Sequence, residues 1–205
     1  MIRRRPLAGA AVALLLAGCV ATPERAPGKI RTDAGEVFYD VAGLSAEELY
    51  VQMRAKGVRK AGVTFFGEYR WDLSWEVNYV AAWTGVCRPA EVRVKLDTQT
   101  ILPRWQPPAD ASPTLQAQWN RFVTALRSHQ KGHAELAQRA ADEVKETLQT
   151  FEPTKCGTIK GEAERRAQAL LDRYREADDK YDRDTRHGLS QGAVWPLPLP
   201  GEVGV

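Results

Sequence analysis

Alternation of apolar and polar side chains predicts a sheet in the first half of the chain. Every odd position from Trp71 to Trp83 is apolar, and the even positions from Asp72 to Asn78 are polar. The run 92–97 alternates valine or leucine with charged residues in the same way. A period of two is typical of a strand with one buried face. The two runs therefore predict an antiparallel sheet that buries one side.

Three tryptophans, Trp71, Trp75 and Trp83, share the apolar face of the longer run. A row of indoles can serve as a stacking platform for sugars. The buried face of a sheet is the commoner place for large aromatic side chains, so we assign this face to the core.

A short strand and a short helix precede these runs. Residues 37–41 alternate as a strand does, and Ser45 with Glu48 has the spacing of a capping box. The capping box predicts a helix that continues to about Gly57. The stretch 102–113 contains four prolines and is predicted to be a loop between the sheet and the second half of the chain.

Two long helices are predicted in the second half. Ser112 is a suitable N-cap, Pro113 suits the first helical position, and the apolar period continues to about Phe151. A break at residues 152–157 separates this helix from a second one over residues 159–182, and so short a connection predicts an antiparallel hairpin. The stripe of the first helix consists of Leu115, Trp119, Phe122, Leu126, His129, His133, Ala137, Ala140, Val144 and Leu148.

Two of the three histidines of the chain, His129 and His133, lie four residues apart within that stripe. Residues i and i+4 share one face of a helix, so the two imidazoles can bind a single ion. The alternative is that they are hydrogen-bonded core residues that bind nothing.

Counting along the hairpin brings the third histidine to the same level. Phe151 lies 22 residues after His129, and Tyr181 lies 22 residues after Ile159. At equal rise per residue Tyr181 stands beside His129, and His187 follows six residues later. Three protein ligands with one position left open for water are typical of catalytic zinc.

The N-terminus carries a targeting signal. A basic start at Arg3–Arg5 and an apolar run to Ala17 lead into Leu16-Ala17-Gly18-Cys19, which resembles the bacterial lipobox. We interpret residues 1–18 as a lipoprotein signal peptide and Cys19 as the acylated first residue. An ordinary secretory signal with a chance cysteine is the alternative. Because valine rather than aspartate follows Cys19, the expected location is the outer membrane of the cell envelope, facing the periplasm.

After that signal we expect a flexible tether over residues 19–35, one domain over residues 36–190 and a Pro/Gly-rich tail over residues 191–205. The chain has 29 basic and 26 acidic residues, and loss of the signal peptide leaves 26 of each. This balance gives no reason to expect nucleic acid as a partner. The lipid membrane, reached through Cys19, is the expected partner.

Cys87 and Cys156 are the two cysteines that remain after acylation of Cys19. In an oxidising compartment an even pair predicts one disulfide, and two separate buried thiols are the alternative.

Several motifs together resemble the domain-of-unknown-function 922 group, described as predicted secreted bacterial zinc-dependent proteases. They are Tyr39-Asp40-Val41, Trp119-Asn120-Arg121-Phe122, the run from His129 to His133, and Thr185-Arg186-His187-Gly188. The resemblance covers about residues 36–190. The patterns above predict an α+β fold, a small antiparallel sheet with one short helix followed by a long helical hairpin, and the resemblance implies a zincin-like site on it. The resemblance also implies one Zn²⁺ ion, with His129 and His133 as ligands and His187 as the third.

One position departs from the zincin pattern. The glutamate that directly follows the first histidine takes a proton from the attacking water in zincins, and Gln130 stands there. Asp182 and Asp184 accompany His187 and can either orient its imidazole or replace the missing base; we favour the orienting role. Three hypotheses follow: a peptidase that cleaves peptides or proteins with metal-activated water, a zinc-binding pseudoenzyme, and a structural envelope lipoprotein.

Overall fold

A computed structural model describes residues 25–196 of the chain. The predicted signal peptide, Cys19 and the end of the predicted tail lie outside these residues. The fold is of the predicted α+β class. In chain order the elements are β1 (Gly28–Val41), α1 (Ala46–Lys56), β2 (Val58–Lys60), β3 (Val63–Phe65), β4 (Glu68–Ala81), β5 (Val86–Trp105), α2 (Pro113–Gln149), β6 (Thr154–Lys155), α3 (Ile159–Thr185) and a 3-10 turn (Leu189–Gln191). No helix among them is both long and apolar enough to cross a membrane.

The main sheet has β5 in its centre, between β1 and β4, and β6 pairs with the start of β5. β4 and β5 are antiparallel, as predicted. β1 is parallel to β5, from the pair Gly28↔Val92 to the pair Val41↔Trp105, so the sheet is mixed rather than wholly antiparallel. The prediction is wrong here because β5 lies between β1 and β4. It is antiparallel to β4 and therefore runs in the same direction as β1. The parallel pair needs a long crossover, which α1 and the β2–β3 hairpin supply.

Two strands extend beyond their predicted limits. β1 begins at Gly28, inside the predicted tether, because an exposed edge strand needs no apolar period. β5 continues to Trp105, through part of the predicted loop. Its prolines, Pro89 and Pro103, stand where only one neighbouring strand pairs with β5, and there the missing N–H is tolerated.

Trp83 was predicted on the buried face and is 98% exposed. β4 ends at Ala81, and a tight turn closed by the hydrogen bond from Gly85 N to Ala82 O interrupts the alternation. Trp71 and Trp75, earlier on the same strand, are partly buried against the core that the helices form with the sheet, which agrees with the assignment of this face to the core.

The helical hairpin covers the sheet. Ser112 Oγ accepts a hydrogen bond from Leu115 N at the start of α2, and the whole predicted stripe of this helix is buried. A second cluster surrounds α1 and the first turns of α2. Trp195 belongs to this cluster and packs on Trp119 and Phe122, so the chain stays with the domain beyond the predicted start of the tail.

The predicted disulfide between Cys87 and Cys156 is present, with Cα atoms 4.7 Å apart. It joins the start of β5 to the connection between α2 and α3, next to the short ladder of β5 with β6. The sheet and the tip of the helical hairpin are thus covalently linked.

Candidate metal centre

His129 and His133 lie one turn apart on α2 and are only 3% and 5% exposed. Tyr181 of α3 stacks on the ring of His129 with centroids 5.1 Å apart, and its hydroxyl donates to the carbonyl oxygen of His129. The predicted register of the hairpin is therefore correct. Gly132 allows this approach, because a Cβ atom there would lie 2.1 Å from the Tyr181 hydroxyl oxygen.

Both imidazoles are held through their Nδ1 atoms. His129 Nδ1 lies 3.0 Å from Gln191 Oε1, and His133 Nδ1 lies 2.7 Å from Asp178 Oδ1. These oxygens only accept hydrogen bonds, so each Nδ1 carries the proton that it donates. The two Nε2 atoms point at each other across 3.3 Å, in the arrangement that metal-binding histidines require.

Asp182 completes a triangle of donor atoms. Its Oδ1 lies 3.1 Å from Nε2 of His129 and 3.1 Å from Nε2 of His133. Three ligands of a tetrahedral zinc ion at bond lengths of about 2.0–2.1 Å lie roughly 3.3 Å from one another. The observed sides of 3.1, 3.1 and 3.3 Å fit three corners of such a tetrahedron. Two imidazole nitrogens and one carboxylate oxygen are also a donor set that zinc accepts.

His187 reaches the cluster through the other oxygen of the same carboxylate. Its Nδ1 lies 3.3 Å from Asp182 Oδ2, and its half-exposed ring packs against Phe65. Arg186 and His187 have positive φ angles, and Gly188 with φ 85° packs onto the ring of His129. This left-handed turn folds the chain back over the site. Across residues 25–196, the group whose donor atoms are close enough to share one ion is His129, His133 and Asp182.

The two carboxylates that accompany His187 have different surroundings. Asp182 contacts all three histidines and its side chain is 32% exposed. Asp184 pairs with Lys180 and is 60% exposed, and within the described chain it contacts no histidine. Of the two, Asp182 alone is placed to orient His187 or to bind the ion itself. Since Asp182 and His187 are the exposed members, the site opens to solvent on their side.

Gln130 is buried beside this cluster. No hydrogen-bond partner for its Oε1 is found in the part of the chain that the structure describes. A buried carbonyl oxygen without a donor costs about 1–3 kcal/mol, so this atom offers an acceptor position to a bound water. It lies at the position where zincins carry their glutamate.

Sequence reasoning missed Asp178 and Gln191, the two residues that hold the imidazoles. Asp178 carried a usable signal, because it stands four residues before Asp182 on α3 and so faces α2 as Asp182 does. Gln191 carried none, because it reaches His129 only through the turn at residues 186–188.

The carboxylates alter the charge of the cluster. Burial lowers the pKa of His133, but hydrogen bonds to Asp178 and Asp182 outweigh it and raise the pKa to about 9. Burial raises the pKa of Asp182, but its contacts with His129 and His133 hold it well below its usual value. Without metal, His133 is therefore an imidazolium at neutral pH, and an ion must displace its Nε2 proton.

The metal-free protein should lose stability as the pH rises. The folded-state pKa of His133 is about 9 against 6.5 in the unfolded chain, so its contribution is complete below 6.5 and disappears as pH passes through 9. We expect the free energy of unfolding, measured with urea in the presence of a chelator, to fall by roughly 2 kcal/mol between about pH 7 and pH 9.5. The slope should vanish in His133→Gln, and a wild-type protein without the slope would contradict the charged pair.

Gly132 offers a test of the contact between the helices. In Gly132→Ala the new methyl group would collide with the Tyr181 ring, which should lower the free energy of unfolding by about 1–3 kcal/mol. The matched control is Gly161→Ala on the exposed side of α3, where the nearest atom to a new Cβ is the end of Arg165 at 3.5 Å. That change should raise stability by about 0.5–1 kcal/mol. Equal stabilisation by both changes in urea titrations would show that Tyr181 does not pack there.

A family model described as "Bacterial protein of unknown function (DUF922)" matches residues 36–188. The matched region makes up most of the chain and contains His129, His133, Asp182 and His187. No curated protein and no solved structure matches the chain.

Proposed function

The chain belongs to the bacterial DUF922 family, as its motifs predicted, and we propose that it is a zinc-dependent peptidase-like protein of the cell envelope whose ion is held by His129, His133 and Asp182. The observation that carries the proposal is the triangle of two Nε2 atoms and Asp182 Oδ1, with sides of 3.1–3.3 Å. If these three side chains served packing alone, their donor atoms would have no reason to converge on one point.

The surrounding residues fit this role. Gln191 and Asp178 fix the imidazoles so that both Nε2 atoms would be directed at a bound ion. His187 contacts the second oxygen of Asp182 and so holds the carboxylate in place. His187 was predicted as the third ligand; in this proposal Asp182 binds the ion and His187 supports it.

Bound zinc would supply Lewis-acid activation of water and of a substrate carbonyl. The open side of the site, at Asp182 and His187, is where an extended peptide can approach. Gln130 Oε1, which is buried and has no partner in the described chain, would be available to accept a hydrogen bond from a water in the site. An amide is not basic, however, so Gln130 cannot take the proton as a glutamate would.

Gln130 also favours a second candidate function, a metal-binding protein that holds a peptide or cell-wall component without cleaving it. The two functions share the metal centre and differ in turnover. The envelope location is proposed from the lipobox-like sequence that ends in Cys19.

Gln130→Glu should raise peptide hydrolysis at least tenfold over wild type, the low end of what a general base contributes. Carboxamide and carboxylate have nearly the same shape, so the helix and both histidines stay in place. Hydrolysis of a fluorogenic peptide library by zinc-loaded protein measures the gain, with Gln138→Glu on the exposed side of α2 as the matched control.

Three results separate the candidates. A gain in Gln130→Glu alone supports the peptidase site with a missing base. Rapid hydrolysis by wild type, unchanged in Gln130→Glu, means that another group supplies the base. No hydrolysis by either zinc-loaded protein supports binding without cleavage.

A further inference from the structure

The hairpin between β4 and β5 ends in an exposed apolar tip, residues 80–85. Trp83 is 98% exposed, Val80 is also exposed, and the tip sequence Val-Ala-Ala-Trp-Thr-Gly carries no charge. Charged residues make up 27% of the whole chain. A fully solvated indole at the end of an uncharged tip exposes apolar surface to water, which is unfavourable unless a partner covers it.

The tip lies at the end of the molecule where the described chain begins. β1 starts at Gly28 opposite Val92, close to the start of β5, and Ala26 N donates to Gln149 O at the end of α2. β6 and the disulfide occupy the same end, next to Val86 and Cys87. The described chain therefore begins in the half of the sheet that carries the tip.

The chain that precedes this strand is short. Arg25 stands six positions after Cys19, and a fully extended stretch of that length spans at most about 20 Å. An acyl group on Cys19 would therefore keep this end of the domain within about 20 Å of the bilayer.

We propose that the tip, residues 80–85, inserts Trp83 into the headgroup region of the membrane that anchors the protein. This inference rests on the envelope location proposed above. Indole suits the interface because it is amphipathic, with an apolar ring and one N–H donor. Arg88 and Lys155 stand exposed behind the tip without ion pairs in the described structure, and Glu152 is the one acidic residue in the connection from Thr150 to Thr158. Anionic lipid is the partner that this charge favours.

The consequence is a fixed orientation of the metal centre. His133 and Gln149 are 16 positions apart on α2, which at a rise of 1.5 Å per residue is about 24 Å. With the tip at the bilayer, the opening at Asp182 and His187 stands away from the membrane and faces soluble material.

Fluorescence quenching tests the contact. The chain is produced in a bacterial host, the mass of its N-terminal peptide is measured, and the protein is reconstituted into phosphatidylethanolamine–phosphatidylglycerol vesicles that contain a lipid spin-labelled near the headgroup. The difference between the fluorescence of wild type and that of Trp83→Ala reports on Trp83. We expect the spin label to quench this difference signal. As a control, the same difference measured in a Val51→Ala background should be quenched to the same extent, because Val51 is an exposed residue of α1 outside the tip.

Each outcome decides the matter. An acylated protein whose Trp83 signal is not quenched overturns the proposal and leaves the anchor intact. If the mass shows no acyl group, the lipid anchor fails, and binding of that chain to the same vesicles decides the role of the tip. A loss of about tenfold in vesicle affinity in Trp83→Ala then supports the contact, and unchanged affinity overturns it.

Discussion

Replacing Asp182 by alanine should weaken zinc binding at least about a hundredfold, because it removes one of three ligands rather than a supporting contact. The matched control is Asp184→Ala. The two residues are of the same type and stand two positions apart on α3, but Asp184 pairs with Lys180 on the exposed side. Asp184→Ala should therefore leave the affinity unchanged within about a factor of two.

Competition with a chromophoric chelator measures both affinities, and His187→Ala belongs in the same series. Because His187 supports the Asp182 carboxylate, His187→Ala should lower the zinc affinity about 10–100-fold. A larger loss for His187→Ala than for Asp182→Ala would make His187 the third ligand and Asp182 its support. Equal, small losses for all three variants would remove α3 from the metal centre.

The double change Cys87→Ala with Cys156→Ala should lower the free energy of unfolding by about 4 kcal/mol. The bridged residues are 69 positions apart, and the chain-entropy model assigns that much to the closure of so long a loop. For a domain of this size the melting temperature should fall by about 10 °C or more.

Thermal unfolding with and without a reducing agent supplies the control. The reductant should shift wild type towards the double variant and should not affect the variant itself. A wild type that melts at the same temperature in both conditions would show that the bridge adds no stability.

The helical half of the fold could be predicted from sequence because every local signal agreed. Ser112 and Pro113 mark the start of α2, its stripe is continuous, and the equal counts along both helices set Tyr181 beside His129. The disulfide was predictable for a different reason, because only two cysteines remain once Cys19 is set aside.

The sheet was less predictable where tertiary contacts override local pattern. An exposed edge such as the start of β1 shows no alternation of apolar and polar residues. The direction of β1 relative to β5 depends on the order of the strands in the sheet, which places β5 between β1 and β4. Trp83 continues the alternation in the sequence, but in the structure β4 ends at Ala81 and Trp83 lies in the turn that follows.

The site was predicted in part. The spacing of His129 and His133 within one apolar stripe indicated both residues. The choice between Asp182 and Asp184 depends on which side of α3 faces α2 in the last turns of α3. The tight turn at Arg186 and His187, with both residues at positive φ, directs the third histidine to the carboxylate. Residues other than glycine adopt such angles too rarely for sequence to predict the turn.

The most direct test of the metal centre is the zinc content of the purified chain after dialysis, combined with X-ray absorption at the zinc edge. We expect about one zinc per chain, with nitrogen and oxygen ligands at about 2.0–2.1 Å and no sulfur, and no zinc in the His129→Ala, His133→Ala double variant. A wild-type protein that retains no zinc when it is supplied, or a double variant that retains a full equivalent, would contradict this expectation.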